Sequence, residues 1–149
     1  MLRTIGSICF AATLASTVAT GQATTRPARI DVVANDYAFM PLPARIEPGP
    51  TLFTFANHGK VQHELALATM KPGVSADSVV KAVKAGGRPR DFLDRSVGIL
   101  LATPTTGPDG QLYTELRKGV TYFLFCNFRD TPDAQTHLMM GMFTTFRVE

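Results

Sequence analysis

The stretch FLFCNFRDTPDAQTHLMMGM, residues 123–142, holds a cysteine, a histidine and three methionines of a chain that has only three histidines and two cysteines in all. Cys126 closes a strand-like run, His137 and Met142 follow across a loop, and His63 opens another strand-like run far upstream. Two imidazoles, a thiol and a thioether together suit a copper ion that exchanges electrons. Sulfur favours Cu(I), imidazole accepts both oxidation states, and a thioether serves as a weak, long axial donor. A rigid scaffold that holds an intermediate geometry limits rearrangement when the electron arrives or leaves. Such a centre requires no substrate pocket.

Each residue alone also has a plainer reading. A strand cysteine between Phe125 and Asn127 suits a small buried hydrophobe. His63 alone suits a capped loop, but its parity places it with Leu65 and Leu67 on the more apolar face of its run, as Met142 falls with Phe146 and Val148. His58, in the NHGK loop, is expected at the solvent and ranks below His63. Met139 and Met140 suit core packing or a hydrophobic patch, and they also offer alternative sulfur donors. Phe123, Phe125, Phe128, Phe143 and Phe146 read as core aromatics.

The elements that must position these donors are mostly short β-type runs: 29–40, 51–57, 63–69, 111–116, 120–127 and 142–149. Between them lie PLP, EPGP, NHGK, GPDG and RKG, turn signals built on Gly or Pro. One segment differs. SADSVVKAVKAGG, residues 75–87, has Ser75 as N-cap, Asp77 in the first turn, Val79, Val80 and Val83 at helical spacing, late lysines, and a Gly-Gly stop. It predicts a short inserted helix that covers an edge or end of a sandwich. A further strand-like centre spans 97–102.

A length of 149 residues allows one domain with a hydrophobic core and is too short for two of ordinary size. Hydrophobic residues make up 45% and the formal charge is +3, with no basic stripe, so nucleic acid is not an expected partner. Residues 1–23 read as a signal peptide: Arg3 is followed by an apolar or small run and by small residues that suit cleavage. That leaves a domain over 24–149, exported to the periplasm or secreted, with no membrane span after cleavage. Cys9 departs with the signal. Cys126 is then an unpaired thiol in an oxidising compartment, where an unpaired cysteine is a liability unless it has a role.

With these residues in view, the chain resembles the cupredoxin family of exported single-domain blue copper proteins. YAFMPLPARIEPGPTLFTFANHGKVQHEL is similar to the family's upstream half: a Pro-Gly turn, a strand ending at Asn57, a Gly-containing loop and a histidine. LRKGVTYFLFC, the H-x4-M spacing of HLMMGM and a final strand are similar to the downstream half. The resemblance implies an all-β Greek-key sandwich with one short inserted helix. It implies one copper per chain, held by His63, Cys126, His137 and Met142, and an electron carrier rather than an enzyme, which redox partner proteins dock transiently. It also implies that His137 lies nearest the solvent, in an apolar patch that Met139 and Met140 furnish. Two features depart from the family pattern: ten residues separate Cys126 from His137, a long loop, and Glu64 stands where Asn is familiar after the first histidine. The alternatives are a module that binds and delivers Cu(I), and a metal-free domain of the same fold that binds another protein.

Overall fold

Alternating runs of β-branched and aromatic residues pair into two sheets. The structure, a computed structural model, describes residues 26–43, 45–104, 107–108 and 110–149; the expected signal peptide and Cys9 lie outside them. In the first sheet β1 (Ala28–Asn35) runs parallel to β3 (Gly49–Asn57), with Ile30 opposite Phe53 and Val32 opposite Phe55. The short β2 (Ala38–Phe39) adds antiparallel to β1, and β6 (Gln111–Leu116) adds antiparallel to β3, so the order is β2-β1-β3-β6. The second sheet has β4 (His63–Met70) between β5 (Leu93–Ala102) and β7 (Thr121–Phe125), with β8 (Phe143–Arg147) beyond β7, all antiparallel. This is the all-β sandwich expected.

The side-chain period of two decides what each face meets. Leu65, Leu67, Tyr122 and Leu124 point inward and pack with Phe53, Phe55, Ile30 and Val32 of the first sheet. Their neighbours Ala66, Ala68, Phe123 and Phe125 point outward and are also buried, because the helix α1 (Ala76–Lys84) lies over them with Val79 and Val83. The helix therefore covers the outer face of the β4–β7 pair, not an edge or end of the sandwich. The reason is in the outward positions: two alanines leave room for a helix, and two phenylalanines require a cover.

Local chemistry sets the helix ends. Ser75 accepts from the Ser78 amide, and the Ser78 hydroxyl accepts from the Ser75 amide, closing a capping box. Gly86, at φ 89°, turns the chain away, and the Gly87 amide donates to the Ala82 carbonyl at 2.9 Å. Two further boundaries differ from the sequence reading. The run 29–40 divides into β1 and β2 at an Asp36-Tyr37 turn, where Tyr37 takes φ 60°. The strand centred on 97–102 begins earlier, at Leu93, with bulges opposite Leu67/Ala68 and Thr69/Met70 that let it follow β4.

Val79 is fully buried on the inner face of the helix. Val79→Ala removes two buried carbons and leaves a cavity against β7, so unfolding in urea should show stability lowered by about 2 kcal/mol with an unchanged m-value.

Candidate metal centre

The sandwich brings His63, Cys126 and His137 to one point at the end of the second sheet. His63 is the first residue of β4 and faces inward with Leu65; Cys126 immediately follows β7 and continues the inward row of Tyr122 and Leu124. The long segment after Cys126 returns because backbone bonds tie both its ends. The Leu138 amide donates to the Cys126 carbonyl at 2.7 Å, the His137 amide to the Phe128 carbonyl at 2.9 Å, and the Cys126 amide to the Met142 carbonyl at 3.2 Å. Between them HLMMGM coils into tight turns: the Met140 and Met142 amides both donate to the His137 carbonyl, at 3.1 and 2.9 Å. Gly141 at φ 105° allows the reversal, a conformation that side chains rarely adopt. Leu138, fully buried with Phe123 and Phe125 in the outer layer, anchors this turn against the sheet.

The three donor atoms form a triangle. His63 Nδ1 and His137 Nδ1 are 3.1 Å apart, Cys126 Sγ lies 3.3 Å from His137 Nδ1 and 3.9 Å from His63 Nδ1, and all three residues are fully buried. Such a triangle has its centre about 2 Å from each corner, the length of a metal–nitrogen or metal–sulfur bond. Among the described residues no other group of three or more His, Cys, Asp or Glu side chains converges in this way. Met142, also fully buried, packs in the same inner cluster as Cys126. Met139 is half-buried against the outer layer, Met140 is exposed, and His58 lies at the surface as expected.

The electrostatics favour a cation among these donors. Burial pushes the Cys126 thiol up to about 11, against the opposing pull of the Glu64 and Phe128 backbone amides. Burial first, and the neighbouring His137 second, hold the His63 imidazole below its ordinary range. Neither a lone thiolate nor an imidazolium is comfortable here, whereas a metal ion bound by thiolate and neutral imidazoles offsets their desolvation. The Glu64 amide donates to Cys126 Sγ at 3.3 Å, and Glu64 Oε1 accepts from the Asn127 amide at 2.7 Å. Glu64 thus links the two strands on either side of the sulfur with its backbone and its carboxylate.

One expectation fails. His137 is buried rather than at the solvent; its side chain is 1% exposed, and its Nε2 lies 3.0 Å from Asp130 Oδ1. The Tyr37 hydroxyl donates to the other oxygen of Asp130 at 2.6 Å, and the Tyr37 ring stands edge-on to both imidazoles, with centroids 5.0 Å from His137 and 6.2 Å from His63. The residues between Cys126 and His137 carry Asp130 back over the imidazole, so a carboxylate and a phenol cover its Nε2 side. Sequence reading missed Tyr37 and Asp130. They are 93 positions apart, and neither sits in a periodic pattern or a recognisable metal-ligand spacing.

The structure is thus a double-sheet sandwich with a buried His/Cys/His cluster at one end. Of the solved structures compared, auracyanin B supports the fold. Auracyanin B matches with 22% identity over 83% of this chain and 91% of its own, at a TM-score of 0.50. A dithionite-reduced auracyanin from the photosynthetic bacterium Roseiflexus castenholzii matches with 23% identity over 81% of this chain and 96% of its own, TM-score 0.46. Auracyanin A, a "blue" copper protein of Chloroflexus aurantiacus, matches with 18% identity over 83% of this chain and 100% of its own, TM-score 0.47. No family model and no curated protein matches the chain. The chain has the cupredoxin fold.

The depressed His63 gives a test of the metal-free centre. The unfolded chain takes up a proton near the ordinary 6.5 while the folded site resists it, so this contribution to stability is whole above that pH and is lost as pH falls below it. Denaturant midpoints of the metal-free protein should fall between about pH 7.5 and pH 5.5, a window above the carboxylate range, and the decline should flatten in His63→Gln. A flat profile in the parent protein would show that this imidazole is not held neutral by burial.

Proposed function

We propose that this chain is an exported electron carrier in which His63 Nδ1, Cys126 Sγ, His137 Nδ1 and the Met142 thioether would hold one copper ion. The observation that carries the reading is the convergence of two imidazole nitrogens and one thiol sulfur within 3.9 Å of one another in a fully buried site. One sulfur with two nitrogens matches copper in both oxidation states, and the bound copper supplies a one-electron couple. The protein's own contribution is rigidity. Strands β4 and β7 fix His63 and Cys126, backbone bonds fix the turn that carries His137 and Met142, and the Glu64 amide points at the sulfur. Donors fixed in this way would move little on a change of the copper's oxidation state.

Burial also bears on the alternative of Cu(I) delivery. A module that hands its ion to another protein needs donors that the acceptor can reach, and all four residues here are 0% exposed. Retention of the ion through redox cycling is the better match, with partner proteins docking transiently on the covering surface. Among the described residues no helix is long and apolar enough to cross a membrane.

The purified protein, its thiol intact, is given one equivalent of Cu(II) and its visible spectrum recorded beside that of Cys126→Ala. The expected result is an intense thiolate-to-copper band that requires Cys126 and bleaches reversibly on reduction without loss of copper. A folded protein with no such band ends the electron-carrier reading. A protein that binds Cu(I) and yields it rapidly to a chelator becomes a delivery module instead. For the thioether, Met142→Leu should keep the band and shift the reduction potential, while Met139→Leu and Met140→Leu should leave both unchanged.

A further inference from the structure

The two histidines of the centre are not equivalent. His63 Nε2 is buried without a hydrogen-bond partner, whereas His137 Nε2 is aimed at the carboxylate of Asp130, which is itself held by the Tyr37 hydroxyl. A carboxylate in its usual ionised form only accepts, so His137 carries its proton on Nε2 and presents a bare Nδ1 lone pair toward Cys126 and His63. The acceptor is built in from two directions. Asp130 arrives on the segment that follows Cys126, whose fold is closed by the Ala134 amide on the Thr131 carbonyl at 3.0 Å and by Arg129 Nη1 on the Ala134 carbonyl.

Tyr37 arrives from the β1–β2 turn, and it is the one non-glycine residue with positive φ among the described residues. Neighbouring contacts hold that turn in place. Asp36 Oδ1 accepts from the Lys60 amide at 2.6 Å, and the Gly59 amide donates to Asn57 Oδ1 at 2.8 Å. A Cβ on Gly59 would come within 2.5 Å of Asp36 Oδ1, so the close approach depends on glycine. A strained backbone position maintained by this many contacts, whose side chain reaches a buried imidazole, points to a role at that imidazole.

We propose that Tyr37 and Asp130 are positioning residues for the copper ligand His137: together they fix its tautomer and orientation, and they set how much electron density its Nδ1 offers the metal. This rests on the copper reading above. An anionic acceptor on Nε2–H makes the imidazole a stronger donor, which stabilises Cu(II) relative to Cu(I) and lowers the reduction potential. The Tyr37 hydroxyl draws charge from Asp130 and so moderates that effect. The two residues therefore push the potential in opposite directions, although both cover the same ligand.

The opposite signs separate this role from mere cover. Asp130→Asn, which keeps an acceptor but removes its charge, should raise the reduction potential of the copper-loaded protein, and Tyr37→Phe, which frees the carboxylate, should lower it. Asp130→Ala should weaken Cu(II) binding about 10- to 100-fold. Shifts of the same sign in the first two variants, or no shift in either, would overturn the proposal. A second measurement needs neither copper nor a variant: imidazole nitrogen NMR of the metal-free protein at pH 8 should show His137 as the Nε2–H tautomer. The Nδ1–H tautomer there would overturn the proposal directly. Failure to bind copper, with the expected tautomer present, would instead count against the electron-carrier reading and leave the Tyr37–Asp130 arrangement standing.

Discussion

Buried lone pairs held 3.1–3.9 Å apart, on two imidazoles and a sulfur, repel one another unless a proton or a metal ion lies between them. Much of the surrounding structure can be understood as the means of holding that arrangement. An unconstrained chain would relax it by turning a histidine toward water. Here both rings are enclosed, Cys126 is tied through its amide and carbonyl to the turn that carries the other donors, and the sulfur faces the Glu64 amide. The stability of the sandwich keeps unfavourable neighbours together, and a cation that replaces the missing protons relieves them.

Rigidity at this end of the molecule comes from layers on both sides of the second sheet. Inward, Leu65, Leu67, Tyr122 and Leu124 pack on the first sheet; outward, Phe123, Phe125 and the paired alanines of β4 are sealed by Val79 and Val83. Leu138 extends the outer layer up to the turn that carries His137, so the helix and the centre share one packed unit. The strands that carry His63 and Cys126 are thereby fixed on both faces. A sheet with one face in water would let the ends of β4 and β7 fray, and those ends are where the donors stand.

The long segment between Cys126 and His137 has two effects. It leaves the distance between sulfur and imidazole short, because hydrogen bonds at its two ends set that distance whatever the number of residues between them. It changes what covers the histidine. With Asp130 and Tyr37 over its Nε2 side, the imidazole meets a carboxylate and a phenol rather than the apolar surface its family resemblance suggests. A polar cover of this kind makes the surface above the imidazole part of its electronic environment.

Much of this was legible in the residues themselves. The period of two assigned His63 and Met142 to the inner face, the Ser75 cap and the valine spacing located the helix, and the rare coincidence of one thiol, two imidazoles and a thioether pointed to a metal centre. These signals are local, or depend on composition, and local sterics and side-chain chemistry determine them. The tertiary structure alone decided which surface the helix covers, how the run 29–40 breaks at Tyr37, and what lies over His137. Each of those depends on residues brought together from distant parts of the chain. A turn at Tyr37 and an aspartate at position 130 acquire a common role only once two sheets have folded them against one imidazole.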